Sequence, residues 1–230
     1  MASALTIISS MATRLLLAEQ AGGIRRSAGL VVELEAVGGV DAARRVEAGE
    51  PFDVVVLADN AIARLAESGH VDPATVTPLV RSGIAVAIRA GATAPRMDDE
   101  ASLREAVLAA TSVGYSTGPS GQALLKLFER WGIADTVASR IIQAPPGVPV
   151  GALIAEGKVA LGFQQLSELM HLKGITVLGP LPASVQVTTV FSGAVGGRSA
   201  RPADARALLV ELASDNHDAL IRRHGLEPAR

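Results

Sequence analysis

The chain has no cysteine, which excludes disulfides, thiolate metal sites and cysteine nucleophiles. Aromatic residues make up only 3% of it, against 49% hydrophobic residues. A core with so few rings is built from Ala, Val, Leu and Ile, which suits helices packed on a parallel sheet. Neither sign of charge dominates: 21 Lys and Arg stand against 23 Asp and Glu, a net charge of −2. With no basic stripe and no interleaved aromatics, nucleic acid is not an expected partner. No apolar run approaches the length of a membrane span, so no membrane insertion is expected. His70, His171, His217 and His224 show neither i,i+4 nor H-E-x-x-H spacing, and no metal site is expected from them. There is no Walker A lysine and no G-x-G-x-x-G after the first strand, so no cofactor is expected.

A secretory pattern at the start is missing too. It needs a basic residue ahead of an apolar run, whereas here the first positive charge, Arg14, lies behind it. The run Leu5-Thr6-Ile7-Ile8 is short and β-branched, and reads as a first strand. The expected location is cytoplasmic, or periplasmic if a signal peptide has been removed.

What remains is a chain of 230 residues, long enough to bury roughly three quarters of its unfolded surface. Short β-branched runs alternate with amphipathic helical stretches. The strand Leu5–Ile8 precedes a helix through Leu15, Leu16 and Leu17. Leu30–Glu35 is strand-like, and Val40, Ala43 and Val46 repeat at helical spacing. Asp53–Leu57 reads as a buried strand ahead of a helix around Ile62 to Ala66. This β-α-β-α-β order predicts parallel pairing with right-handed crossovers. Pro73 and Pro78 then break the pattern before a strand over Gly83–Arg89. A second set follows: helix Ala101–Ala110, strand Val113–Tyr115, helix Gly121–Trp131, strand Ile141–Gln143, helix Val150–Glu156 and strand Ala160–Phe163. A strand-like run, Val185–Phe191, precedes two closing helices, Pro202–Ala213 and Asp215–His224. The expected fold class is α/β with two lobes, each a mostly parallel sheet flanked by helices. Residues 1–82 with 192–230 form the first lobe and 83–191 the second, with two crossover strands as a hinge. The ligand cleft is expected between them, at the carboxyl ends of the strands.

Four strand-to-helix junctions carry one chemical vocabulary: Ser9-Ser10-Met11, Gly38-Gly39-Val40, Ser116-Thr117-Gly118-Pro119-Ser120-Gly121 and Pro145-Pro146-Gly147-Val148-Pro149. Helix starts have amides without intrahelical partners and the positive end of the dipole, so they attract anions. Ser and Thr add donors, and Gly permits close approach. The competing role for each junction is structural, since Ser and Thr are also preferred N-caps. The expected ligand-binding set is Ser9, Ser10, Met11, Gly38, Gly39, Val40, Ser116, Thr117, Gly118, Ser120, Gly147 and Val148.

Asp53-Val-Val-Val-Leu-Ala-Asp59, preceded by the helical Asp41–Gly49, resembles bacterial molybdate-binding proteins of ABC transporters, members of the type II periplasmic solute-binding proteins. So does Gly151-Ala-Leu-Ile-Ala-Glu-Gly-Lys-Val-Ala-Leu-Gly162, and the resemblance runs roughly from Leu5 to Leu220. It implies the two-lobed fold and an oxyanion site. Ser9 or Ser10 keeps that family's first hydroxyl. Gly38-Gly39 stands where the family has a second serine, and Gln165 where it has a tyrosine. Those two losses count against tetrahedral molybdate. Gln164 and Gln165 offer amide groups suited to planar carboxylates. The expected partner is therefore a small anionic metabolite that carries carboxylates. Arg14, Arg81 and Arg89 are further cations that could pair with it, Arg14 being the best placed.

The molybdate-binder-like family also includes aconitate isomerases, which move a double bond in an unsaturated tricarboxylate. That leaves three readings open: a carboxylate-binding protein, an isomerase on the same fold, and an oxyanion-binding component of a transporter. A sensing module that signals by lobe closure is a further possibility. The isomerase needs a base, for which Asp59, Glu168 and Glu35 are the candidates. Gly114-Tyr115-Ser116-Thr117-Gly118 also matches the G-x-S-x-G nucleophile elbow, but no HGGG-type loop precedes it.

Overall fold

The structure is a computed structural model that describes residues 4–230. By internal contacts the chain divides into two compact units: the chain up to Arg81 together with Val190–Arg230, and Ser82–Thr189.

The first unit begins with β1 (Leu5–Ser10), a 3-10 turn (Met11–Thr13) and α1 (Arg14–Ala28). There follow β2 (Val32–Val37), α2 (Gly39–Glu47), β3 (Val54–Ala58) and α3 (Asp59–Glu67). β1 lies parallel to both β2 and β3. Side chains alternate across a strand, and the two faces of this sheet are buried differently. Leu5, Ile7, Val54 and Val56 pack with Leu16, Leu17 and Ile24 of α1. Ile8, Val55 and Leu57 pack with Ala42, Ala43 and Val46 of α2 and with Ile62 and Leu65 of α3. β3 is thus covered on both sides, which explains its unbroken run Val-Val-Val-Leu-Ala. β2 sits at an edge and alternates instead, Val32 and Leu34 inward, Glu33 and Glu35 outward.

β4 (Thr77–Arg89) is a 13-residue strand that runs from the first unit into the second. Pro78 lies inside it rather than breaking it. It is the second residue and exposed, where a missing N–H costs the ladder nothing. The second unit continues with α4 (Glu100–Ala109), β5 (Val113–Tyr115), α5 (Pro119–Arg130), α6 (Ala134–Val137), β6 (Ile141–Gln143), α7 (Val150–Ala155), β7 (Leu161–Gln165), α8 (Leu166–Leu169) and β8 (Ile175–Pro180). β5 is parallel to β6 and β7, whereas β7 and β8 both run antiparallel to β4. Ile84, Val86 and Ile88 of β4 enter one core with Leu103, Leu124 and Phe128. The small Ala85 and Ala87 on the other face admit Val150 and Ile154.

β9 (Thr188–Val195) returns to the first unit and pairs antiparallel with β3. α9 (Pro202–Leu212) and α10 (Asp218–Arg223) add Leu208, Leu209, Leu212 and Ile221 to the core beside α1. β10 (Glu227–Pro228) pairs with β4.

Two mostly parallel sheets were expected. The hydrogen bonding instead links the strands into one mixed sheet in the order β2-β1-β3-β9-β4-β7-β5-β6. β4 causes this, because it is long enough to serve both units and its partners in the second unit run against it. No helix among the described residues is long and apolar enough to cross a membrane.

Candidate functional site

In the first unit the strand ends converge by register. Ser10 of β1 lies opposite Val37 of β2, so Gly38 and Gly39 follow directly beside it. Ser9 lies opposite Val56 of β3, which places Asp59 one strand further along, roughly 5 Å per strand. Ser9 and Ser10 are the last two residues of β1 rather than the first of a loop.

Ser10 precedes the 3-10 turn, yet its side chain does not cap it. It is only 7% exposed, and its Oγ has no partner among the described residues. A buried hydroxyl without a partner costs stability, and the fold gives this one no hydrogen bond among the described residues. Ser9 is fully buried and donates to the Ser10 carbonyl at 3.2 Å. Met11 opens the 3-10 turn. Gly38 and Gly39 start α2 with no side-chain cap, and Val40, in its first turn, is 63% exposed. A Cβ built on Gly39 would meet only Cβ of Ser10, at 3.7 Å, so the missing serine here is not forced by space. Arg14 is exposed at the first position of α1.

In the second unit, Ser116, Thr117 and Gly118 link β5 to α5, whose N-cap Gly118 contributes no side chain. Ser116 Oγ lies 3.1 Å from Ser120 Oγ, and Ser120 is buried in the first turn of α5. Gly121 makes that turn possible, because a Cβ there would sit 1.8 Å from the Ser116 carbonyl oxygen. Gly147 takes a positive φ of 76° in the loop before α7, and Val148 beside it is 37% exposed.

The two glutamines end β7 and are both 2% exposed. Gln164 accepts from Val150 N at 2.7 Å and donates to Glu168 Oε2 at 2.6 Å. Gln165, with its amide nitrogen toward Ser82, donates to Ser82 Oγ at 3.0 Å and accepts from Thr189 Oγ1 at 2.9 Å. The amide groups of both are thus engaged within the fold.

The three candidate carboxylates differ sharply. Glu35 is held by two nitrogens of Arg45, whose hydrogen bonds keep its carboxyl below the usual range. Glu168 is partly buried and takes the Gln164 amide. Asp59 is exposed at the start of α3, and Ser192 of β9 donates to its Oδ1 at 2.8 Å. Ser192 is fully buried, and no motif in the sequence marks it. Ser167, in the turn after Gln165, was also missed; it is buried and its Oγ has no partner among the described residues.

Other candidates are elsewhere. Arg81 donates to the Pro228 carbonyl at 3.1 Å. Arg89 is at the far end of β4 from Ile84, the residue opposite Gln165, and so lies at the opposite edge from the β7 carboxyl end. A cavity of about 250 Å3 in the first unit, lined by residues such as Phe52, Val55, His70 and Arg198, includes none of the junction residues.

Comparison with known proteins adds three findings. A family profile described as bacterial extracellular solute-binding protein matches residues 5–227. An aconitate isomerase from a Pseudomonas species is 38% identical over 185 residues, 80% of this chain and 70% of that protein. Among solved structures, the periplasmic molybdate-binding protein of Azotobacter vinelandii superposes with a TM-score of 0.82 at 18% identity, covering 98% of this chain and 100% of the other. The sulfate-binding protein of Mycobacterium tuberculosis gives 0.79 at 18% identity, covering 99% and 88%. At that identity the two structures establish a type II periplasmic-binding-protein fold and nothing finer.

Proposed function

We propose, for a chain that belongs to the bacterial extracellular solute-binding protein family, that it holds a small unsaturated polycarboxylate on helix starts and shifts the substrate's double bond. One observation carries the choice of reaction: the 38% identity to an aconitate isomerase, spread over 80% of the chain. The proposal keeps the two-lobed reading, with the two compact units as the lobes.

The site residues suit that substrate class. A carboxylate needs several donors and no metal. Within the first unit, the unpartnered Ser10 hydroxyl and the uncapped start of α2 at Gly38–Gly39 would supply them. With Gly39 in place of a serine, one hydroxyl suited to a tetrahedral oxyanion is gone. Gln164 and Gln165 enter the proposal as residues that hold the end of β7 in place through Val150, Ser82 and Thr189. Removal of an allylic proton spreads negative charge over the conjugated carboxylate, and the same helix starts would stabilise that charge as it develops.

A second reading has support of its own. An unpartnered hydroxyl at the end of β1 serves carboxylate binding equally well without any turnover. One experiment separates the two. The purified protein is incubated with cis- and trans-aconitate, followed by NMR, alongside thermal shift with citrate, sulfate and molybdate. Interconversion of the aconitates is expected. Stabilisation by aconitate without conversion would leave a binding protein, and stabilisation by molybdate alone would overturn both readings.

A further inference from the structure

Resting on the isomerase reading, we infer that Asp59 is the carboxylate that carries the proton in this reaction, with Ser192 as its positioning residue. The inference comes from how the three carboxylates are held. Glu35 is paired with Arg45 and Glu168 is bonded by Gln164. Asp59 forms no ion pair among the described residues, and its only hydrogen bond there is through Oδ1. Its second oxygen keeps its lone pairs.

Asp59 does not serve as a helix cap either. The N-cap of α3 is Ala58, which offers no side chain, and Asp59 accepts from Ser192 rather than from an amide of α3. Ser192 pairs with Leu57 across the β3–β9 ladder and is 0% exposed, so its hydroxyl is fixed to the sheet. A buried serine that fixes one oxygen of an exposed carboxylate orients the other. The register sets this group one strand from the unpartnered Ser10 hydroxyl and two from Gly39.

The proton balance is closed. Asp59 takes a proton from the methylene carbon next to the double bond, and the C–H electron pair forms the new double bond. The former π pair is delocalised into the conjugated carboxylate as a dienolate. The protonated Asp59 then returns its proton to the former vinylic carbon, which becomes the methylene. Nothing is oxidised or reduced, no group leaves, and the carboxylate ends as it began.

The test compares the full chain with Asp59→Asn, Ser192→Ala and Ser192→Thr. Turnover of cis- and trans-aconitate, binding by calorimetry and deuterium uptake into the methylene from D2O are measured. For Asp59→Asn, turnover and deuterium uptake are expected to fall by about a hundredfold or more, with aconitate binding retained. Ser192→Ala is expected to lower kcat with KM little changed, and Ser192→Thr to recover most of it. Asp59→Asn that still turns over within about tenfold of the parent would overturn the assignment to Asp59 while leaving the isomerase standing. A parent protein that binds aconitate without exchange or turnover would overturn both. If Asp59→Asn does not fold, Ser192→Ala decides: an unchanged kcat would remove Ser192 and the oriented carboxylate with it.

Discussion

The hydroxyl of Ser10 is paid no hydrogen bond by the fold although it is buried, and that asymmetry can be measured. Ser10→Ala is expected to leave urea stability unchanged or slightly higher, within about 1 kcal/mol, since no bond is lost. The same change is expected to weaken aconitate binding by roughly tenfold or more, the worth of one hydrogen bond to a charged group. Loss of stability would mark Ser10 as structural. Glycines at the two helix starts make opposite demands. Gly39→Ser has room beside Ser10 and is expected to fold normally, whereas Gly121→Ala would drive a methyl into the Ser116 carbonyl. The latter is expected to cost about 1–3 kcal/mol in denaturant unfolding. Residue types at strand ends made Ser10, Gly39 and Ser116 candidates, and the structure sets Ser10 and Gly39 side by side. Ser192 escaped because it bonds Asp59 from 133 residues away, and such a partnership leaves no local pattern.

Among the elements, the edge of the first unit is tied by one arginine. Arg45 of α2 bonds Glu35 of β2 and Glu50 beyond its own helix, and lies 5.2 Å from the centre of the Phe52 ring. Both carboxyls are held below their usual range, first by the hydrogen bonds from Arg45. A depressed carboxyl contributes stability that is present above its unfolded value and is lost as pH falls through the folded one. Arg45→Met is therefore expected to lower Tm at neutral pH. The difference from the parent should shrink below about pH 4, where the unfolded carboxyls protonate; a constant difference across pH would deny the linkage. Element type was mostly legible where apolar periodicity was strong, as in β3 and α5. Boundaries moved where burial continued past the apolar run, so β1 extends through Ser10 and β7 through Gln165. β8 was missed because Gly174, Gly179 and Pro180 surround a short Ile-Thr-Val-Leu run that reads as a loop. Its partner, β4, lies far back in the sequence, with Arg89 opposite Ile175.

For the whole molecule, the alternation of strand and helix was sufficient to give the α/β class, and the stretches Asp53–Asp59 and Gly151–Gly162 carried the resemblance to the family. It could not reveal the single mixed sheet, because the antiparallel pairing of β4 with β7 and β8 and of β3 with β9 joins segments far apart in sequence. Nor could it choose between binding and turnover, since the same helix starts would suit a bound carboxylate and a developing dienolate alike. That choice rests on the likeness to an aconitate isomerase and on a carboxylate, Asp59, left with a free oxygen. The most direct test is proton NMR of cis-aconitate in D2O with the purified protein. The expected spectrum shows trans-aconitate accumulating, with deuterium entering the methylene position. A spectrum that stays unchanged while calorimetry shows aconitate bound would contradict the central claim.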